Sequence, residues 1–450
     1  MRKILLGIIL VLSFHAKAQD TERKLEIVPD IHFRMFWMST SYPSDFKDDY
    51  ALGTSLQLGG KFTYAKHWDL QVGYRFYGDL WSSDIWSPDP VSGNSNRYET
   101  GLFDLQNPGD RFFGRLESLS ISYSTNLWGV RLGRMGINTD WINAQDGRLS
   151  PTVVEGVHGW YSPAEKWKIG AWGITRMGVR GTSKWLGIGE SIGVYPLGRD
   201  VFGQPSQYKG NTQSDWIGVL EVSYDMEKLG KLNFSETLVQ NISNTIYGSL
   251  EKEWGKEAKS EKWISALQLG FQNGIGAGGN EDVTMRYKDP NDKNWVISGR
   301  VGYERNQWKT NLSYTHVGGK GRWLSPREWG KDAWYTFIPR ERNEGYETVD
   351  ALVFNTSYQF SSIGLTPYLF FGLHWLPEIQ DVAANKYAFP SYRQINFGLR
   401  YRPKGIRNLD AHLILMNKEA LGNSTLSPGQ RYNKVGMIHT NVMINWRPFQ

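Results

Sequence analysis

Cysteine is missing from all 450 residues of the chain. An exported protein without cysteine has no disulfides, so its stability has to come from other interactions. A strong excess of one charge is missing as well. The formal net charge is +6, and it falls by three if Arg2, Lys3 and Lys17 are removed with a leader peptide. Such a mild charge argues against a nucleic-acid-binding protein.

Long hydrophobic runs are absent after the N-terminus. Residues 4–14 form an apolar stretch behind a short basic start, and Ala16-Lys17-Ala18 matches a signal-peptidase site. We therefore expect residues 1–18 to be a signal peptide, with a buried N-terminal helix as the alternative. No later run is long enough for a transmembrane helix. Barrel strands remain possible, since each needs only about 9–11 residues of alternating polarity.

Motifs of catalysis and of cofactor binding are few and weak. GIGAGG at residues 274–279 has the spacing of a dinucleotide-binding loop, but no helix follows to offer its N-terminus to a pyrophosphate. The eight histidines are dispersed, and no G-x-S-x-G motif is present. We expect no cofactor and no enzymatic activity. A lipase-like barrel enzyme, and a metal site assembled from distant strands, stay open as alternatives.

Alternation of apolar and polar residues is the main signal that is present. Residues 52–64 and 68–80 each place mainly apolar side chains on one face and polar or small ones on the other. A period of two is that of β-strands, and it recurs at residues 394–402 and 441–447. The strands are long and their polar faces carry many small residues, which favours a wet lumen over a soluble sandwich.

The connections between these strands alternate in length. Short links lie near residues 65–67, 125–126, 162–166, 226–230, 255–261, 305–307, 361–363 and 403–407, and long links near 39–50, 81–111, 136–152, 177–214, 273–293, 318–346, 376–390 and 418–433. A weak strand at residues 245–254 completes the alternation. Short periplasmic turns and long extracellular loops are typical of outer-membrane barrels. We predict an all-β, membrane-spanning, antiparallel up-and-down β-barrel of about eighteen strands over residues 31–450, after a periplasmic segment at 19–30.

Tryptophans support this interpretation, because seven of them fall at the short-turn ends of predicted strands. Indole is stable where an apolar layer meets a polar one, so a belt at one rim is expected of a membrane barrel. The belt consists of Trp68, Trp128, Trp167, Trp254, Trp263, Trp308 and Trp446.

Strand parity also points a set of arginines into the lumen. Such a wall lowers the energy of anions along a path, although for each arginine taken alone solvated wall charge is the better explanation. Asp69 and Asp79 share the lumen face, so the wall is mixed. The predicted lumen arginines are Arg34, Arg75, Arg131, Arg300, Arg400, Arg402 and Arg447.

Two long loops are stiff enough in composition to fold into the lumen. The third, near residues 136–152, carries Asp140, Asp146 and Arg148. The seventh, near residues 318–346, carries a run of charges, and an arginine fork suits bidentate contact with a carboxylate. These charges would line the pore or pair with one another to hold the loop, and a surface loop contacting lipopolysaccharide is a further alternative. The seventh-loop candidates are Arg327, Glu328, Arg340, Glu341 and Arg342.

Two segments give a more specific resemblance. RLGRMGINTDWINAQDGRLSPTVVEGVHGWY at residues 131–161 and SPREWGKDAWYTFIPRERNEGYETVDALVF at residues 325–354 resemble the OprD family of outer-membrane porins. The resemblance implies an eighteen-stranded barrel of the bacterial outer membrane, narrowed by its third and seventh loops and bearing a ladder of basic residues. It implies passive diffusion of small carboxylate-bearing solutes such as amino acids, peptides or organic acids.

Further expectations follow from the resemblance. The partners would be outer-membrane lipid and lipopolysaccharide, the diffusing solutes and the barrel-insertion machinery, and the protein would be a monomer or a loose trimer. Many such barrels end in a terminal Phe, whereas here Phe449 is penultimate. A closed structural or adhesin barrel is the remaining alternative to a channel.

Overall fold

The computed structural model describes residues 24–43, 45–145, 147–255, 261–422 and 425–449. The predicted signal peptide lies outside these residues. Almost all regular structure within them is β-strand. The strands are β1 (Leu25–Ser41), β2 (Asp49–Tyr64), β3 (Trp68–Ser82), β4 (Phe112–Ser124), β5 (Trp128–Gly136), β6 (Val153–Tyr161), β7 (Trp167–Gly178), β8 (Leu186–Gly187), β9 (Ile217–Asp225), β10 (Lys231–Val239), β11 (Ser243–Trp254), β12 (Glu261–Gly274), β13 (Lys293–Arg305), β14 (Trp308–Lys320), β15 (Val349–Tyr358), β16 (Leu365–Trp375), β17 (Tyr392–Tyr401), β18 (Leu409–Ala420) and β19 (Met437–Trp446).

The sheet closes on itself. Each long strand pairs antiparallel with the next along the chain, and β7 pairs with β9 past the two-residue β8, which belongs to a loop. The first and last strands then pair with each other, from Phe33↔Trp446 to Ser41↔Ile438. Within the described part of the chain, the result is a closed antiparallel barrel of eighteen strands. The predicted fold class is confirmed, including the weak strand, which is β11.

Strand β1 begins earlier than predicted. It starts at Leu25, inside the segment expected to precede the barrel, and its first residues pair with the end of β2 at Tyr64. The run from Leu25 to Asp30 contains Pro29 and little strict alternation, which is why the sequence alone placed the start of the strand later.

Loops of one rim are short and those of the other are mostly long, as predicted. The long-rim connections are numbered here in chain order, and four of them matter below: loop 2 (residues 83–111), loop 3 (137–152), loop 4 (179–216) and loop 7 (321–348). The fifth is only the turn at residues 240–242. The remaining regular structure is small: helices α1 (Ile188–Ser191) and α2 (Pro428–Arg431), with 3-10 turns at Thr100–Leu102 and Glu227–Leu229.

The outer surface of the barrel is apolar and carries the tryptophan belt. All seven belt tryptophans are between 39% and 56% exposed, and each lies at or beside the short-turn end of its strand. Several sit opposite another aromatic residue, as in Trp254↔Trp263 and Trp308↔Tyr358. A belt of exposed aromatic side chains around one rim is typical of a barrel that spans a membrane. No helix among the described residues is long and apolar enough to cross a membrane.

Candidate functional site

Loop 7 lies inside the barrel and is bonded to its wall on both sides. Gln272 of β12 donates to the carbonyl of Leu324 at 2.8 Å and accepts from the Leu324 amide at 3.0 Å. On β17, Gln394 and Asn396 both donate to the carbonyl of Pro339, at 2.9 and 3.1 Å. These three wall residues are buried, while their strand neighbours face outward. Loop 7 therefore crosses the lumen, anchored by amide side chains of the inner face.

Loop 3 meets loop 7 through tryptophans. Trp141 of loop 3 lies 5.0 Å from Trp334 and 5.5 Å from Trp323, measured between ring centroids, and all three are buried. Gly270 of β12 makes room for this cluster, since a Cβ there would lie 2.5 Å from Trp334. Aromatic residues in loops thus act as a small apolar core within the lumen, which makes both loops rigid.

Hydrogen bonds complete the junction of the two loops. The backbone amide of Asn143 donates to the carbonyl of Trp329, and the Asn143 side-chain oxygen accepts from the backbone amide of Lys331, both at 2.9 Å. The Thr152 hydroxyl donates to the carbonyl of Glu328 at 2.9 Å. These bonds are made to backbone groups of loop 7. They therefore fix the path of the loop 7 backbone, whichever side chains the loop carries.

A cavity of about 330 Å³ opens where loops 2, 3, 4 and 7 converge. Its lining is strongly basic. In the described residues, the charged side chains of that lining are seven cations and one carboxylate, namely Arg97, Arg148, Arg180, Lys209, Arg327, Arg340 and Arg342, with Glu341.

Glu341 is the acid of this lining, and it is bound by three cations. Its carboxylate lies 3.0 Å from Arg97, 2.6 Å from Lys418 of β18 and 3.7 Å from Arg327. Burial alone would raise the pKa of Glu341, but the three cations together hold it well below its usual range. The carboxylate is therefore ionised and ties loop 7 to loop 2 and to the barrel wall.

Several of the lining arginines are held by backbone oxygens instead of carboxylates. Arg180 donates to the carbonyl of Arg327 at 2.6 Å, and Arg342 donates to the same carbonyl at 2.9 Å and to Gln145 Oε1 at 2.5 Å. Burial lowers the pKa of Arg180 to about 10, and it lowers that of Arg342. Within the described ranges, Arg148 Nε and one terminal nitrogen of Arg342 are buried without a hydrogen-bond acceptor. The cavity therefore holds positive charge that its own carboxylate does not neutralise.

Arg340 takes an unusual backbone conformation. Its φ angle is +85°, in a region that side chains other than glycine rarely adopt. Its guanidinium donates to the buried side chain of Asn441 on β19 and lies 5.5 Å from the centre of the Phe36 ring. A strained backbone that places a charged side chain is common at functional sites.

Three other predicted loop residues lie elsewhere. Glu328 does not line the cavity: its carboxylate accepts from the amides of Gly193 and Tyr195 in loop 4, both at 2.9 Å. Asp140 accepts from the Ser235 hydroxyl of β10 at 2.6 Å. Asp146 lies outside the described residues.

The predicted wall arginines divide into paired and rim residues. Arg75 forms a 2.8 Å ion pair with Glu117, and Arg34 donates to Asn445 at 2.9 Å. Arg300 pairs with Glu251. Neighbouring wall residues thus partly neutralise the charge of these arginines. That result is compatible with a role as ordinary wall charge.

Two of the remaining arginines lie just beyond strand ends. Arg402 follows the last residue of β17 and Arg447 follows the last residue of β19, so both lie exposed at the short-turn rim. That they point into the lumen stays a prediction. Arg400 is still on its strand, 5.2 Å from the ring centre of the buried Tyr368, and Arg131 is half-buried on β5.

The sequence did not single out the lining residues of loops 2 and 4, namely Arg97, Arg180 and Lys209. No local pattern distinguishes them from other loop cations. They reach the cavity because two loops far apart in sequence pack against loop 7, and Arg97 is drawn in by Glu341. The usable signal in the sequence was the length of loops 2 and 4. Loops that stay on the outer surface can be equally long, so length alone does not identify loops that reach a cavity.

Solved structures of other proteins share this architecture. No protein-family model and no curated protein matches the sequence. OpdK of Pseudomonas aeruginosa, solved with vanillate, matches at a TM-score of 0.69 and 14% identity over 94% of this chain and 98% of its own. OccK9 (OpdG) of the same organism gives 0.70 at 13% identity, with 94% and 98% coverage. OccAB3 of Acinetobacter baumannii gives 0.70 at 12%, again with 94% and 98%. The predicted resemblance to the OprD porins is confirmed for the fold.

Proposed function

We propose that the protein is an outer-membrane porin whose narrow, basic constriction admits small carboxylate-bearing solutes by passive diffusion. The observation that carries this proposal is the cavity at the junction of loops 2, 3, 4 and 7, where seven cations face one carboxylate among the described lining residues. Amino acids, short peptides and organic acids are the solute classes. Barrels of this type sit in outer-membrane lipid with long loops toward lipopolysaccharide.

The charge of the cavity supports an anionic solute. The Glu341 carboxylate is already paired with Arg97, Lys418 and Arg327, so it repels an entering anionic solute only weakly. Two ions 4 Å apart attract by about 1 kcal/mol in bulk water and by about 4 kcal/mol at the effective dielectric near a protein surface. A carboxylate entering the cavity therefore gains more from the same arginines than it does at an exposed site.

The size of the cavity supports a small solute. About 330 Å³ is at the low end of the range for small-molecule sites, and rigid tryptophan packing behind loops 3 and 7 keeps the walls in place. Planar guanidinium groups form bidentate contacts with carboxylates that a single ammonium does not reproduce. Preorganised arginines thus favour a compact carboxylate over chloride of the same charge.

Single-channel recording with matched solutes tests the proposal. The purified barrel is inserted in a planar bilayer, and ionic current is measured while propionate or its neutral isostere propionamide is added. We expect current through single channels and block by propionate but not by propionamide. A barrel without conductance would favour the alternative of a closed structural barrel. Equal block by both compounds would show that the arginines do not select the solute by its charge.

An enzyme is the less supported alternative. The solved structures that share the fold include OpdK and OccAB3, which are porins. Esterase assay of the purified barrel with a short-chain ester tests this alternative directly. Turnover abolished by a single serine substitution would favour it.

A further inference from the structure

A groove of about 530 Å³ lies on the outer, membrane-facing side of the barrel, over strands β11 to β15. Exposed apolar side chains such as Leu250, Leu267 and Val301 form its walls. The next residue after Leu267 is the buried Gln268, whose side chain donates to the carbonyl of Ala333 in loop 7, so Gln268 faces the lumen and the groove lies on the opposite face. We call this feature the outer groove.

A glycine in the middle of a row of large side chains creates the outer groove. Paired residues of five neighbouring strands form this row, in the order Leu250, Leu267, Gly299, Tyr314 and Leu352. Outside its chain neighbours, a Cβ at Gly299 would find its nearest heavy atom 4.0 Å away. Among the described residues, therefore, no side chain fills the space above Gly299.

Hydrogen bonds hold two aromatic rings at the sides of the outer groove. The Trp254 indole nitrogen donates to the Ser265 hydroxyl at 2.7 Å, so the ring of β11 is tied to β12. The Tyr314 hydroxyl donates to Asp350 Oδ1 of β15. Because these walls are fixed before anything binds, an occupant loses little affinity to the ordering of side chains.

A cation stands at the short-turn end of the outer groove. Lys252 shares the outward face of β11 with Trp254, and its ammonium lies 3.7 Å from the centre of the Trp254 ring. Among the described residues Lys252 forms no ion pair, whereas Arg305 at the same rim pairs with Glu261. The tryptophan belt marks the level of the lipid headgroups, so this ammonium lies at the depth of the lipid phosphates.

An ordinary stretch of barrel wall does not combine these features. Gly159 of β6 leaves a similar gap, since a Cβ there would also find its nearest heavy atom 4.0 Å away. Its ladder partners are Val130 and Ala171, so no charged side chain stands directly beside it. A second barrel is a poor occupant of the outer groove, because an apolar outer face would bury the Lys252 ammonium without a partner.

We propose that the outer groove binds one anionic phospholipid of the periplasmic leaflet, with an acyl chain over Gly299 and the phosphate on Lys252. The occupant has to be apolar along most of its length and negatively charged at the end that reaches the tryptophan belt. A phospholipid has this form, and the short-turn side of such a barrel is the periplasmic side. The proposal concerns the outer wall, so it is independent of the solute that crosses the lumen.

Native mass spectrometry of the detergent-purified barrel tests the proposal, with phosphatidylglycerol or phosphatidylcholine of the same acyl chains added at equal concentration. The parent should retain one phosphatidylglycerol, at least roughly fivefold more tightly than phosphatidylcholine, since only the first carries a net charge that Lys252 attracts. Lys252→Gln should abolish this preference. Gly299→Leu should weaken the binding of both lipids, because leucine fills the space for the acyl chain.

Two matched controls separate the outer groove from the rest of the surface. Gly159→Leu adds the same side chain at the outward gap of β6. Lys231→Gln removes a lysine at the same rim, where Lys231 starts β10 and its neighbour Leu232 takes the outward face. Both controls should keep parental lipid binding. Phosphatidylglycerol should also raise the temperature of heat modification in the parent and the controls but not in Gly299→Leu, because a ligand of the folded state stabilises it.

Equal retention of the two lipids by the parent, or a preference that survives Lys252→Gln, would overturn the proposal. So would a loss of binding in Gly159→Leu as large as that in Gly299→Leu. A dimer mass in the parent that Gly299→Leu abolishes would assign the outer groove to a second copy of the chain instead. Heat-modifiable migration in gels checks that each variant is folded.

Discussion

At the scale of single residues, the cavity where loops 2, 3, 4 and 7 meet is built from charges that hold the loops as well as charges that face the cavity. Glu341 belongs to both groups, because its carboxylate borders the cavity and binds Arg97, Lys418 and Arg327. Pore-lining and loop-stapling were equal hypotheses for the seventh-loop charges. The contacts favour stapling for Glu341 and Arg327, and they favour a cavity-facing role for Arg342, whose acceptors are neutral oxygens.

Glu341→Gln should loosen loop 7. Removing one partner of a buried ion pair costs about 3–5 kcal/mol, because the remaining charges stay buried without compensation. We expect a lower free energy of unfolding, noisier open-channel current and a stronger anion preference, since a carboxylate has been removed. Glu261→Gln is the control, because Glu261 pairs with the exposed Arg305 at the short-turn rim and is itself only half-buried. Quiet current of parental selectivity in Glu341→Gln would contradict the assigned role.

Glu99 gives loop 2 a dependence on pH. Its fully buried carboxylate accepts from Thr40 of β1 at 2.6 Å and from Asn96 at 2.7 Å, and it lies 3.7 Å from His439 of β19. Burial raises the pKa of Glu99 from an ordinary 4.5 to about 7. The folded chain therefore holds this proton more tightly than the unfolded chain does, so docking of loop 2 is most stable below pH 4.5 and weakens as the pH rises to about 7.

Protection of loop 2 against hydrogen exchange measures this effect. After correction for intrinsic exchange rates, the opening free energy of loop 2 should fall between pH 5 and pH 7.5 in the parent protein. Glu99→Gln removes the titrating charge and keeps one accepting oxygen, and its opening free energy should stay flat over the same range. A parallel fall in both proteins would show that groups other than Glu99 govern the docking.

At the scale of elements, strands were predictable and loop junctions were not. The alternation of residues within one strand shows which side chains share a face. Leu56 and Leu58 could therefore be assigned outward and Gln57 inward without knowing the neighbouring strands. The composition of loops 3 and 7 and their resemblance to a known family predicted that both loops fold into the lumen. The contact between loops 3 and 7 through Asn143, by contrast, joins residues far apart in sequence. No sequence pattern around Asn143 predicts that contact.

Deleting residues 139–149 of loop 3 should widen the channel. The deletion removes Trp141 and Asn143, so loop 7 loses both the tryptophan cluster and its backbone partners. We expect a larger single-channel conductance and weaker discrimination between solutes, measured in bilayers on a barrel that still shows heat-modifiable migration.

Asn143→Ala is a milder version of the same change and should give an intermediate conductance. Asn291→Ala provides its control, because the Asn291 side chain binds only Asp289 of its own exposed loop among the described residues. Parental conductance in the deletion variant would mean that loop 3 does not narrow the channel.

At the scale of the whole molecule, the described chain is a closed eighteen-stranded barrel whose loops 2, 3, 4 and 7 enclose a basic cavity. Closure between β1 and β19 leaves no open sheet edge over residues 33–41, and the tryptophan belt marks one membrane surface. The mature chain from residue 19 should therefore fold in detergent as an all-β, heat-modifiable barrel. Far-UV circular dichroism checks this expectation, and a spectrum with substantial helix would contradict it.

The reversal potential across a salt gradient tests the central claim most directly. The parent channel should be anion-selective, and Arg342→Gln and Arg148→Gln should each shift its reversal potential toward that of an unselective pore. Arg286→Gln is the matched control, because Arg286 pairs with Asp289 in loop 6 (residues 275–292) and does not line the cavity, so its reversal potential should equal that of the parent. A cation-selective or unselective parent, or two cavity variants indistinguishable from the parent, would contradict the claim that the basic cavity selects the solute.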